Sequence, residues 1–137
     1  MCFFAPIFAL FAALLAATAP THAAGVVDVP LEWAEGRTAV RVTVDSTNPP
    51  LLATFDTGAQ GITIRRSVAE RLGLPEVGEI LMGSPLGGQP VPAKLVRLPS
   101  LRVDGVAANE APRALDAVMV DDARMLAGTE LVIGPNQ

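Results

Sequence analysis

Residues 51–74 read LLATFDTGAQGITIRRSVAERLGL. Leu51 to Phe55 is an apolar run that ends abruptly at Asp56, and Gly58 and Gly61 follow closely. A solvated turn accounts for an acid beside glycines, but not for a mostly buried strand leading straight into it. Beyond the turn, Ile62 to Ile64 is a short β-branched segment. Ser67-Val68-Ala69-Glu70 then has the spacing of a capping box, and Gly73 is placed to stop the helix after about two turns. The stretch therefore predicts strand, carboxylate-bearing turn, strand and short helix, in that order.

Working outward, Thr38 to Val44 alternates small or polar with apolar residues, the period of a half-buried strand. Ser46 to Pro50 contains two prolines that cannot continue a ladder, so an antiparallel hairpin with Leu51–Phe55 is expected. Downstream, Glu79–Met82 and Ala93–Leu98 flank GSPLGGQPVP, whose glycines and prolines predict an exposed hairpin tip or a mobile cover. Leu101–Val103, a turn at Asp104-Gly105, and Val106 predict another hairpin. Ala117–Val120 and Leu131–Ile133 read as strands, stopped by Asp121-Asp122 and by Gly134-Pro135. Short strands recurring between turn signals predict an all-β fold, a small barrel or sandwich with one short helix.

Composition removes most alternatives. Of the 137 residues half are apolar, but part of that content lies in a nearly uncharged run from Phe3 to Ala17, followed by Thr21-His22-Ala23. This has the form of a secretory signal with a small-residue cleavage site, although MCFF at its start carries no Lys or Arg. The domain proper is then expected at 24–137. The only Cys (Cys2) and the only His (His22) fall in the signal, so Ser-His-Asp and Cys-His nucleophiles and His- or Cys-ligated zinc are excluded from the mature chain. Acids outnumber bases 14 to 10 and the bases are scattered, which argues against a nucleic-acid surface. Carboxylates, hydroxyls and a single lysine, Lys94, remain for chemistry.

An apolar strand ending in Asp-Thr-Gly-Ala, then a β-branched segment and a short helix closing on Leu-Gly-Leu, resembles the active-site region of the retropepsin-like aspartyl proteases. A glycine-rich flap candidate at 83–88, the SLRVDG turn at 100–105 and the apolar-apolar-Gly at Val132-Ile133-Gly134 extend the likeness. The resemblance implies a small closed β-barrel in which Asp56, Thr57 and Gly58 are catalytic. It implies substrate contacts from Ala59, Gly83, Gly87 and Gly88, with no metal and no cofactor. Since the chain holds one Asp-Thr-Gly, it also implies a homodimer that brings two copies of Asp56 together. Two carboxylates about 3 Å apart cannot both ionise, so such a pair shares one proton and acts as base and acid on a peptide or protein substrate. The other reading of Asp56 is as a fold-preserving acid in a cell-envelope module that binds peptide without cutting it. The family pattern continues beyond the apolar-apolar-Gly with a helix and a terminal strand, whereas this sequence stops at Gln137. A fragment, or a dimer that is built differently and forms poorly, is the expectation that follows.

The remaining polar residues read as structural. Asp104, Asp116 and the Asp121-Asp122 pair are taken as turn or surface acids, Lys94 and Arg65-Arg66 as surface charges, and Trp33 as a core or edge residue. Export to the periplasm or beyond, without membrane association after signal removal, follows from the first 23 residues. Mass spectrometry of exported protein is expected to find an N-terminus near Ala24; an intact Met1 in the membrane fraction would indicate an anchor.

Overall fold

The computed structural model describes residues 27–46, 48–83, 88–106 and 114–135. The expected signal segment and Gly87 lie outside these residues. The elements in chain order are β1 (Glu32–Ala34), β2 (Arg37–Thr43), β3 (Leu51–Phe55), β4 (Ile62–Arg65), α1 (Arg66–Arg71), β5 (Glu76–Met82), β6 (Val91–Leu98), β7 (Arg102–Val103), β8 (Leu115–Val120), a single 3₁₀ turn (Asp122–Arg124) and β9 (Leu131–Ile133).

The strands form one mixed sheet in the order β1-β2-β3-β9-β4-β8-β6-β5, with β7 paired to β2 outside that path. Closure would require the two terminal strands to bond to each other. Among the described residues β1 and β5 do not pair, so the closed barrel expected from the sequence is replaced by an open sheet. The physical reason is visible at both ends. β1 is only three residues long. β5 is exposed from Glu76 to Leu81, and among the described residues it pairs with β6 alone. Alternation and turn signals identified strands, but they carry no information on which edge meets which.

Consecutive strands β3 and β4 are not neighbours, because β9 lies between them. It runs parallel to β3 (Ala53↔Leu131, Phe55↔Ile133) and antiparallel to β4 (Ile62↔Ile133, Ile64↔Leu131). β4 in turn runs parallel to β8. The β2–β3 hairpin forms as predicted, with Val40 opposite Ala53 and Val42 opposite Leu51. The β5–β6 hairpin also forms. Around Asp104-Gly105 the Val106 N–H donates to Val103 O at 3.2 Å, closing the turn, while Arg102 and Val103 pair with Thr43 and Val42; the chain after Val106, where the expected hairpin would continue, lies outside the described residues. Here Asp104 accepts a hydrogen bond from the Thr43 hydroxyl at 2.9 Å, and Gly105 takes a left-handed φ of 85°.

One face of the sheet carries the core. Val40, Val42 and Val44 on β2 and its extension, Leu51 and Ala53, Ile62 and Ile64, Val96 and Leu98, Ala117 and Met119, and Leu131 all bury against one another. Alternation along each strand places them there. α1 closes this face with Val68 and Ala69. Its end follows the sequence reading: Gly73 adopts φ 63°, its N–H donates to Glu70 O at 3.1 Å, and the Leu74 N–H donates to Ala69 O at 3.0 Å, a Schellman stop. Trp33 is an edge residue, 76% exposed on β1.

The start of α1 does not follow the capping-box reading. The helix begins at Arg66, and Ser67 sits inside its first turn. Its N–H and hydroxyl donate to the two carboxylate oxygens of Asp122 at 3.1 and 2.6 Å. A distant acid thus supplies the cap that Glu70 was expected to complete, and Asp122 is not simply a solvated turn residue. The hydroxyl bond from Ser67 comes first, then its N–H and the nearby Arg65 and Arg66; together they hold the Asp122 carboxyl below its ordinary pKa. A carboxyl whose pKa is depressed on folding stabilises the fold fully above its unfolded pKa and loses that stabilisation as pH falls through the folded value. Asp122→Ala is therefore expected to lower Tm by a few degrees at neutral pH, with the deficit against wild type shrinking once pH drops below the usual carboxylate range. Thermal melts across pH would check this, and a deficit independent of pH would rule out the charged cap.

Candidate active site

β3 delivers Asp56 to the end of the sheet. Its backbone N–H donates to Ile133 O at 2.9 Å, so the ladder between β3 and β9 extends onto the acid itself. The following residues must cross the end of β9 to reach β4, because β9 separates the two strands. The crossing is pinned from below: Gly134 N–H donates to Gly61 O at 2.7 Å, and Gly61, at φ 68°, returns its own N–H to Pro135 O at 3.5 Å. Inside the loop, Ala59 N–H donates to Asp56 O at 3.1 Å, closing a turn.

The Asp56 side chain is oriented by this turn. Its Oδ1 accepts the Gly58 N–H at 2.9 Å. A Cβ on Gly58 would stand 3.3 Å from that same oxygen, so glycine allows the carboxylate to lie close over the backbone. Asp56 is half-buried, while Thr57 and Gly58 are exposed and Ala59 is half-buried. Four of the residues named from the sequence, Asp56, Thr57, Gly58 and Ala59, are thus brought together in one turn. Within its own chain, and among the described residues, Asp56 accepts from backbone only.

Gly83 and Gly88 are placed elsewhere. They lie at the ends of β5 and β6, and β9, β4 and β8 stand between that hairpin and β3 in the sheet. Gly88 takes φ 124° and is exposed. No hydrogen bond among the described residues joins this hairpin to the Asp56 turn. The Lys94 ammonium pairs with Glu76 at 2.7 Å across the hairpin, and Arg97 pairs with Asp116. Lys94 and Asp116 are the surface charges they were expected to be. No group of three or more metal-ligating side chains exists among the described residues.

Several residues that shape the site were not singled out from the sequence. A Cβ on Gly134 would approach Ala59 O to 2.3 Å and Ala59 C to 2.6 Å, so Gly134 permits a close backbone approach within the chain. The signal for it was the apolar-apolar-Gly itself, whose role only the crossing reveals. Arg65 is the second case. Rather than a surface charge, its guanidinium is bonded to the carbonyls of Asp122, Leu126 and Thr129. Arg66 pairs with Asp121 at 2.8 Å, and that bond and charge raise its pKa further. Glu130 links three elements: one oxygen accepts Leu52 N–H at 3.1 Å and the other accepts Arg71 at 2.7 Å. None of these long-range partners leaves a local pattern in sequence.

The family model described as aspartyl protease matches residues 40–134, and the chain belongs to that family. The matched span runs from β2 through Gly134 and contains the whole Asp56 crossing. Among solved structures the chain is similar to a retropepsin-like aspartic protease from Rickettsia conorii, at 17% identity over 81% of this chain and 80% of that chain, with a TM-score of 0.46. It is also similar to the retroviral protease-like domain of Ddi1 from Leishmania major, at 18% identity over 80% and 74%, TM-score 0.40. A third is Lpg0085 of unknown function from Legionella pneumophila subsp. pneumophila str. Philadelphia 1, at 14% identity over 70% and 79%, TM-score 0.40. No curated protein matches the chain.

The geometry makes Gly134→Ala the most damaging small substitution near the site. Its new methyl meets backbone atoms of Ala59, which cannot swing aside as a side-chain tip would. The expected cost is at or above the upper end of the roughly 1–3 kcal/mol typical of overpacking. Gly58→Ala, with only the Asp56 carboxylate to displace, is expected to cost less stability. Denaturant titration of the two variants side by side would check the order, and equal stability would contradict the crossing described here.

Proposed function

We propose that this chain is the subunit of an aspartic endopeptidase whose active site joins Asp56 from two copies. The observation that carries the reading is the fixing of Asp56 at a strand end, with its N–H bonded to Ile133 and its Oδ1 turned onto the Gly58 N–H. A pre-oriented, half-buried carboxylate on rigid backbone is what general acid–base chemistry requires. Family membership supports peptide hydrolysis as the reaction.

In this reading the paired carboxylates hold one proton between them. The unprotonated one takes a proton from water as the water oxygen bonds to the peptide carbonyl carbon, and the protonated one donates to the carbonyl oxygen. Collapse of the tetrahedral diol breaks the C–N bond: one hydroxyl returns its proton to the unprotonated carboxylate as the carbonyl re-forms, and the proton on the other carboxyl passes to the departing amine nitrogen. Thr57 and Gly58 support the turn, and Ala59 lies beside the substrate. The segment from Met82 to Val91, with Gly83, Gly87 and Gly88, serves as a cover, carried by a β5 arm that is exposed from Glu76 to Leu81. Export, directed by the first 23 residues, places this activity in the periplasm or outside the cell.

Asp56→Asn removes the ionisable group while keeping a Gly58 acceptor. Cleavage of a peptide library at acid to neutral pH is expected to fall on the order of a thousandfold or more in this variant, with the melting temperature nearly unchanged. Wild-type activity is expected to rise with the square of protein concentration at low levels, since one subunit has half a site. Equal cleavage by wild type and variant would defeat the protease reading. Peptide binding without cleavage by either would favour the non-catalytic module.

A further inference from the structure

The segment from Asp121 to Glu130 links β8 to β9 and contributes no side chain to the hydrophobic core cluster. Apart from one 3₁₀ turn it has no regular structure, yet it is held along its whole length. Asp121 is paired with Arg66, and the Asp122 carboxylate is bonded to Ser67. Farther along, the Arg65 guanidinium draws in three carbonyls, donating to Asp122 O at 3.1 Å, Leu126 O at 3.3 Å and Thr129 O at 2.7 Å. At the end, Glu130 is bonded to Leu52 and Arg71. A planar fork with several donors is suited to setting the path of a backbone at more than one point.

That path leads toward Asp56. Gly128, at φ 74°, is pressed on the β1–β2 turn so closely that a Cβ would stand 2.6 Å from Glu35 Cγ. The turn is a two-residue one in which Glu35 and Gly36 both have positive φ, 48° and 76°. Arg37 is the first residue after it. Continuing the β2–β3 register (Arg41↔Leu52, Val40↔Ala53) toward the turn sets Arg37 level with Asp56. The segment therefore spans from the head of β9, next to the acid's own strand, to a turn at the same level of the sheet as the acid. Thr129 is its one buried side chain, 1% exposed, and the rest of the segment is placed by polar ties rather than by apolar packing, so its path is set by the Arg65 fork more than by the core.

We infer that Arg65 is a positioning residue for the hydrolytic site, holding residues 122–130 as one wall of the peptide-binding surface beside Asp56. The inference rests on the endopeptidase reading and deepens it, since Arg65 touches neither substrate nor the reacting atoms and acts only through the carbonyls it holds. Loss of the fork frees the wall and weakens binding of the peptide before the chemistry is affected. Arg97, whose partner is the surface acid Asp116, is the matched control for removing a guanidinium.

The test compares wild type, Arg65→Met, Arg65→Lys and Arg97→Met in the full chain by peptide hydrolysis and by amide hydrogen exchange. Arg65→Met is expected to raise KM roughly tenfold, the equivalent of one to two lost hydrogen bonds, with kcat within about twofold. Amides 123–129 should exchange faster while those of β3 and β8 do not, Arg65→Lys should recover part of both effects, and Arg97→Met should match wild type. Faster exchange with KM unchanged means a structural tie only and overturns the inference, as does unchanged exchange of the segment. If Arg65→Met fails to fold, Arg65→Lys and Arg65→Gln carry the same comparison. Should wild type cleave no peptide, affinity for a peptide bearing a tetrahedral hydroxyl isostere replaces KM. Wild type that neither cleaves nor binds that isostere overturns the endopeptidase reading and the substrate wall with it, whereas active wild type with indistinguishable Arg65 variants overturns this inference alone.

Discussion

The insertion of β9 between β3 and β4 is the constraint on which the rest of the structure depends. Two strands adjacent in sequence are forced two strand spacings apart, about 9–10 Å, and the chain must cross the end of the intruding strand to continue. Asp56 occupies the start of that crossing. Its position is determined by three strands at once: β3 carries it, β9 receives its N–H through Ile133, and β4 receives the crossing through Gly61. A carboxylate on an ordinary hairpin turn would have one pair of strands behind it and correspondingly more freedom. The crossing has little clearance, which is why a side chain at Gly134 has no place to go.

The polar ties around α1 follow from the same insertion. β9 is three residues long and reaches its place only after an irregular segment that crosses from β8. A short strand with few ladder bonds gains from being delivered in a fixed position, and Arg65, Ser67 and Glu130 do this through groups that regular structure leaves unpaired. These bonds are surface or half-buried, so each contributes modestly by itself. Their common effect is on geometry: the first turn of α1 holds one end of the segment, Arg65 at the end of β4 holds it at Asp122, Leu126 and Thr129, and the side chain of Glu130 fastens the other end to β3 and α1.

How far the sequence could be read divides along the same line. Leu51–Phe55 and Leu131–Ile133 were legible to the residue because each is an apolar run stopped by turn residues. The Gly73 stop was legible because a left-handed residue after a helix requires glycine. What was not legible is everything that depends on pairing at long range. The capping-box spacing at Ser67–Glu70 was real as a pattern, but an acid 55 positions away took the bonds. Arg65 and Arg66 looked alike in sequence, yet one binds a carboxylate and the other three carbonyls. The closed barrel was expected from the family resemblance, whereas short strands with turns suit closed and open sheets equally, and the order that left β1 and β5 unjoined is a property of the whole chain. At the site, Asp56 stood out because its local setting was anomalous, whereas Glu35, before Gly36 in an otherwise alternating stretch, hid a two-residue hairpin turn whose positive φ angles were its only distinguishing feature.

The sheet is accordingly uneven in what it costs to deform. β9 is buried at Leu131 and Val132 and bonded on both edges, so displacing it would disrupt the core and the Asp56 crossing together. β5 buries no residue and, among the described residues, is bonded on one edge only, to β6. Opening it sacrifices a few ladder bonds that water can replace, placing it at the low end of local stability. Rigid backbone under the acid and a yielding strand at the opposite end of the sheet arise from one topology: the strand that returns to the middle locks the centre, and the hairpin at the edge is joined, among the described residues, through β6 alone.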